Sequence, residues 1–272
     1  MLCPILGVSR SGYYKWLNSE KSARELENER ILAGITEIYE QVNGIYGYRR
    51  LADEYNARHE TNYGDHRIYR LAQKGHLYAK IRRKRRRYRK STPEITAANV
   101  LNREFAAEYI NEKWVTDVTE LQYGAGNKAY LSAILDLKTR SIVSYEIGHS
   151  NNNQLVFRTL DKAIYRFPDA HPLLHSDRGY QYTSRSFRLK LDNAGIAQSM
   201  SRVGRCIDNG PMEGFWGTLK AEMFNLARFD DYETLVASVE EYIYFYNYFR
   251  RQRKLGRLAP ENYRQVLEAQ AG

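Results

Sequence analysis

Apolar residues recur at helical spacing over residues 26–42, where Ile31, Leu32, Ile35, Ile38, Tyr39 and Val42 line one side. Two further helical stretches follow, at 48–58 and 65–74. Asp65 is placed to cap the second and Gly75 to end it. On that helix Ile68, Leu71 and Ala72 form an apolar face. Arg67, Arg70 and Lys74, spaced three and then four apart, share another. Such a basic face can enter a major groove; the alternative is a helical subdomain with a solvated charged side. Ahead of these, residues 6–17 (LGVSRSGYYKWL) predict a turn and a short helix with Ser9 or Ser11 as N-cap. They read as the second half of a helix-turn-helix. The five preceding residues are too few for its first helix, so that helix is expected from elsewhere or not at all.

Beyond residue 112 the pattern changes. Strands are predicted at 113–121, 129–137 and 141–147, with turn residues at 124–127 between the first two. A helix over 154–167 leads to a short buried strand at 173–177. A second helix (184–193) and strand (196–200) follow, then long helices over 211–225 and 232–250. This succession implies an α/β fold, a mixed sheet flanked by helices, preceded by a small all-α region.

Composition adds a partner. The 272 residues carry a net charge of +10, concentrated in residues 80–90, where nine of eleven positions are Lys or Arg. Arg82, Arg83, Lys84, Arg85, Arg86 and Arg87 form its centre. Such density repels itself in isolation but releases counterions when laid on a phosphate backbone. The chain is therefore divided into a helical DNA-binding region ending in a basic arm (1–90), a linker (91–104) and a catalytic core with C-terminal helices (105–272). Two cysteines without ligand spacing, and no apolar run of membrane length, predict a soluble cytoplasmic protein, nucleoid-associated when on DNA, with no membrane partner.

The candidate chemistry lies in acids. Asp117 sits in the first predicted strand, Asp177 at the carboxyl end of the fourth, and Glu213 early in the helix over 211–225. Carboxylates gathered at a sheet edge repel one another unless cations lie between them, which suits two hard divalent ions and phosphodiester chemistry. At about 100° per residue, Lys220 returns to within about 20° of the Glu213 face, where it can reach a phosphate. The same projection turns Glu222 to the opposite side, as a solvated residue. Asp208 is a rival acid, or with Asn209 a helix cap. Asp136, Asp161 and Asp192 are read as surface charge. His175 is left outside the catalytic set, as a strand-end histidine satisfied by backbone or one that touches carboxylate or substrate.

The segments LGVSRSGYYKWL, YGYRRL, WVTDVTEL, YLSAILDLKTRSIV, LLHSDRGYQYTS, QSMSRVGRCIDNGPMEGFWGTLKAEM and YNYFRR, in this order, resemble the OrfB-type DDE transposases of the insertion-sequence-three group. The resemblance covers nearly the whole chain. It implies a ribonuclease-H-like integrase core whose triad is Asp117, Asp177 and Glu213, binding two magnesium ions for which manganese can substitute. It implies transposon-end and target DNA as partners, an upstream OrfA-type product carrying a helix-turn-helix and zipper, and a homo-oligomer on DNA. Gly210, Gly214, Gln252 and Ala259 depart from residues more frequent in the family, and none removes a triad member. The activity implied is end cleavage followed by strand transfer. The alternatives are a nuclease that only hydrolyses and a non-catalytic DNA-binding regulator.

Overall fold

The structure, a computed structural model, describes residues 7–80, 99–102, 104–201 and 209–271. The chain divides into two compact units, Met1–Lys80 and Ile81–Gly272. The basic run beyond Lys80, the predicted linker's first part and Asp208 lie outside the described residues.

The first unit holds α1 (Arg10–Leu17), α2 (Ala23–Gln41), α3 (Tyr48–His59) and α4 (Asp65–Lys74). Ser9 starts α1: its Oγ accepts the Gly12 N–H at 3.0 Å. Helix α2 begins before the predicted 26 because Ser22 and Glu25 form a reciprocal capping box, a signal present in the sequence and passed over. At α4 the expectation needs correcting. Gly64 occupies the cap and Asp65 is the first helical residue, where its charge favours the helix N-terminus without capping it. Ile31, Ile35, Ile38, Leu51, Ile68 and Leu71 fill the core of the three longer helices.

The second unit is built on five strands: β1 (Lys113–Tyr123), β2 (Asn127–Asp136), β3 (Ile142–Gly148), β4 (Leu173–Ser176) and β5 (Ala197–Met200). Their order is β3-β2-β1-β4-β5. The first three form an antiparallel meander, and β4 and β5 continue the sheet parallel to β1. Helix α5 (Asn153–Arg166) connects β3 to β4, and α6 (Arg185–Asn193) connects β4 to β5. Then come α7 (Gly210–Leu219), a π turn (Lys220–Phe224), α8 (Tyr232–Tyr248) and α9 (Pro260–Ala271). This is the ribonuclease-H-like arrangement that the resemblance implies.

Strand alternation divides the core between the two faces of the sheet. Trp114 belongs to the cluster with Val156, Leu160, Phe187 and Leu191 of α5 and α6. Val115 and Leu121 belong to the opposite cluster, with Met212, Phe215, Trp216 and Leu219 of α7 and Leu235 and Val239 of α8. Asp117 shares the parity of Val115, so β1 directs it toward the α7 face.

Three sequence expectations fail in this unit. The helix over 211–225 is not continuous, because it changes to π geometry at Lys220. Glu222 is therefore not a solvated residue; it is buried and held by Arg250 at 2.7 and 2.8 Å and by the Tyr242 hydroxyl at 3.0 Å. Asp136 is no surface charge either. It is fully buried, paired with Arg264 of α9 at 3.2 Å and capped by the Asn111, Lys138 and Thr139 backbone N–H groups. Asp161 and Asp192 are exposed, as read.

Candidate active site

Two neighbouring parallel strands deliver the aspartates. Strand β4 pairs with β1 in the register Lys113 to Leu173, Trp114 to Leu174 and Val115 to His175. Continued by two residues, that register brings Asp117 level with Asp177. Asp117 sits within β1, which runs on to Tyr123, whereas Asp177 stands just past the last residue of β4. There the backbone turns tightly. The Gly179 N–H donates to Asp177 Oδ1 at 2.8 Å, and a Cβ at Gly179 would lie 3.1 Å from that oxygen and 2.8 Å from Gln181 Oε1. Gln181 and Tyr180 in turn donate to Asn151, tying this turn to the segment ahead of α5.

Helix α7 brings the third acid, fastened to β1 on both sides of Glu213. Four residues before it, Asn209 Nδ2 donates to the Thr116 carbonyl at 3.0 Å. Three residues after it, Trp216 Nε1 donates to Asp117 Oδ2 at 3.1 Å. Positions three and four apart share a helix face, so Glu213 lies between these two fastenings. The apolar stripe of Met212, Phe215, Trp216 and Leu219 buries the helix against the sheet and leaves Glu213 exposed.

The electrostatics single out Asp117. Burial, and then the negative charge of Asp177, raise its carboxyl to about 7, with Glu213 adding to the rise; the Val118 backbone and Trp216 act the other way. Asp177 and Glu213 are raised as well, chiefly by the protein packed against their inner sides, although both residues meet solvent. Asp117 thus feels the charge of both other acids. Among the described residues, however, no three His, Cys, Asp or Glu side chains are drawn together tightly enough to form a ready metal cage. The donor set of Asp117, Asp177 and Glu213 is all carboxylate oxygen, which fits a hard divalent ion.

The other sequence candidates are distributed as follows. Lys220 is half-buried at the first position of the π turn. His175 is buried between the Ser199 and Ser201 hydroxyls at 2.8 and 3.1 Å, which ties β4 to β5 through side chains. In the first unit Arg67 is committed internally: it pairs with Glu27 at 2.6 Å, bonds Asn28 and stacks over Tyr63 at 4.9 Å. Arg70 and Lys74 are exposed. Arg82, Arg83, Lys84, Arg85, Arg86 and Arg87 lie outside the described residues.

Sequence reasoning overlooked Trp216 and Tyr182. Trp216 was legible as one more apolar residue of the α7 stripe, while its indole N–H three positions after Glu213 was the usable signal. The Tyr182 hydroxyl lies 3.4 Å from Thr116 Oγ1 beneath the site. Burial, then the charges of Asp117 and Asp177, hold its pKa well above normal, so it remains protonated.

Comparison with known proteins shows the family. Residues 108–206 and 213–267 match models described as "Integrase core domain", and residues 25–85 match an "HTH-like domain". The putative transposase InsK of the element IS150 from Escherichia coli K12 is 43% identical over 85% of this chain and 81% of its own length. The transposase InsF of IS3A from the same organism is 30% identical over 96% of this chain and 92% of its own. The chain belongs to the IS3 group of transposases. It is an enzyme of the DDE transposase and integrase type, acting in DNA transposition. Among solved structures, the HTLV-2 integrase catalytic core in complex with magnesium (trimeric form) is 17% identical, covers 58% of this transposase and 96% of its own chain, and has a TM-score of 0.44. No helix among the transposase's described residues is long and apolar enough to cross a membrane.

Proposed function

We propose that Asp117, Asp177 and Glu213 are the catalytic carboxylates, and that with two magnesium ions they cleave transposon-end DNA and join it to target DNA. The observation that carries this reading is the convergence of β1, β4 and α7: the strand register sets Asp117 level with Asp177, and Trp216, one turn after Glu213, bonds Asp117 Oδ2 at 3.1 Å. Asp117, Asp177 and Glu213 would together hold the ions through carboxylate oxygens, and manganese could substitute. Bound magnesium supplies Lewis acidity to the attacking water or 3′-hydroxyl and to the leaving 3′-oxygen. The protein's own part is to hold the acids in place and to bring the phosphate to them. Gly179 pins the Asp177 carboxylate, and the fastenings of α7 fix Glu213 against β1. Lys220 neutralises a substrate phosphate near the site.

Arg70 and Lys74, together with the basic run from Lys80 to Lys90, hold the DNA backbone. Arg67 braces α4 against α2 and contributes indirectly. We further infer that the protein works as a homo-oligomer on nucleoid DNA in the cytoplasm, with an upstream OrfA-type product as partner.

The test uses a labelled transposon end with unlabelled target DNA and magnesium. The full chain should give both cut and joined products, and Asp177→Asn should give neither while still binding the DNA. Retention of cutting by that variant would overturn the metal site. Cut products without joined products from the unaltered chain would make the protein a nuclease only.

A further inference from the structure

We propose that Trp216 is a positioning residue: its indole N–H sets the Asp117 carboxylate and couples it to Glu213, so that both acids are presented to the metal as one unit. The inference rests on the reading of Asp117 and Glu213 as metal ligands. Trp216 is only 6% exposed, and its ring is wedged in the core beside Phe215, centroids 5.0 Å apart. The donor therefore has little freedom of its own. It reaches Asp117 Oδ2 at 3.1 Å, and the residue one helical turn before it is Glu213. Asn209 grips the adjacent Thr116 carbonyl from the same helix, so α7 reads two consecutive residues of β1.

A buried indole N–H needs an acceptor, and a backbone carbonyl would satisfy it equally well. What is particular is the acceptor chosen and the neutrality of the donor. A Lys or Arg at this position would orient Asp117 but would also neutralise it and repel an incoming divalent cation. A neutral N–H orients one oxygen and leaves the negative charge in place. Outer partners of metal-binding side chains act in this way, and their loss typically lowers metal affinity or activity about ten- to a hundredfold.

Trp216→Phe keeps an aromatic ring and removes the donor, together with part of the ring volume. In the full chain, with a labelled transposon end, it should raise the magnesium concentration for half-maximal cleavage roughly ten- to a hundredfold. DNA affinity should stay close to that of the unaltered chain, while the metal-free melting temperature falls by the cavity cost of the smaller ring and serves as the variant's own baseline. The magnesium-induced rise in melting temperature, which does not depend on turnover, should move to higher concentration by the same factor. An unchanged magnesium dependence in both readouts would overturn the inference. Asp117→Asn, run in parallel, tests the underlying reading: if that variant cleaves normally, the ligand assignment falls, whereas its inactivity beside a normal Trp216→Phe removes only the role of Trp216. Should Trp216→Phe not fold, the three tryptophans of the intact chain can be labelled as 5-fluorotryptophan. Magnesium should then shift the same single fluorine resonance that Asp117→Asn shifts; resonances indifferent to both would overturn the proposal.

Discussion

Two regions of the catalytic unit treat their acids in opposite ways. At the C-terminal side, Asp136 and Glu222 each meet an arginine, Arg264 and Arg250, and every carboxylate oxygen has a donor. Burial alone works against the Arg250 charge, and Glu222 beside it keeps the guanidinium charged. In mid-sheet, Asp117, Asp177 and Glu213 form no ion pair with any Lys or Arg among the described residues; their donors are backbone N–H groups and one indole. The same side-chain chemistry thus serves two ends. Where the fold supplies the cation, Asp136 staples α9 to the sheet and Glu222 ties the end of α8 to the π turn. Where it supplies none, the charge is left for a ligand to meet.

The largest expected effect breaks the site and spares the staple. Asp117→Asn should lower end cleavage at least about a thousandfold, the scale on which loss of a transition-state charge stabiliser acts. The same change should raise the metal-free melting temperature, because it removes a buried charge that its neighbours oppose. Calorimetry beside the cleavage assay checks both signs together.

Breaking the staple should do the reverse. Arg250→Met leaves Glu222 buried and unpaired, and should destabilise the protein by about 3–5 kcal/mol in urea unfolding. Adding Glu222→Gln should recover most of that loss, since it removes the stranded charge. A double variant as unstable as the single one would mean that packing around the guanidinium, not its charge, is what matters.

A smaller effect follows from pH. The Asp117 carboxyl has a folded pKa of about 7 against an ordinary 3.8, so between those values the folded chain holds a proton that the unfolded chain has released. From this group, stability without divalent ions therefore falls as pH rises from about 4 to 7. The loss is of order 1–2 kcal/mol once solvent on the open side is allowed for. Magnesium added at pH 7.5 should restore it, and Asp117→Asn should flatten the slope. Smallest of all is the exposed pair of Lys190 with Asp161 at 2.6 Å. Asp161→Asn should leave unfolding and cleavage within experimental scatter, because water already screens both charges.

How far this contrast could be read from sequence depends on the range of the interactions. The alternation in β1, the short apolar run of β4 and the stripe on α7 are local patterns, and they carry the sheet and the approach of its acids. The partners of Asp136 and Glu222 lie 128 and 28 residues further along the chain. No periodicity reports them, so Asp136 looked like surface charge. For Glu222, in the π turn at Lys220–Phe224, projection away from Glu213 said nothing of what faces it there, which is Arg250 and Tyr242 rather than water.

That π turn also constrains how such a sequence can change over time. A π turn amounts to one extra residue accommodated inside a helix, so deleting a single residue there would restore regular winding and improve its local hydrogen bonding. Because the turn absorbs that extra residue, the chain beyond it would keep its direction relative to Glu213. Residues inside the turn would change direction, Glu222 among them, and with it the bonds to Arg250. The constraint on length therefore rests on the partnering of Glu222, not on the orientation of the C-terminal helices.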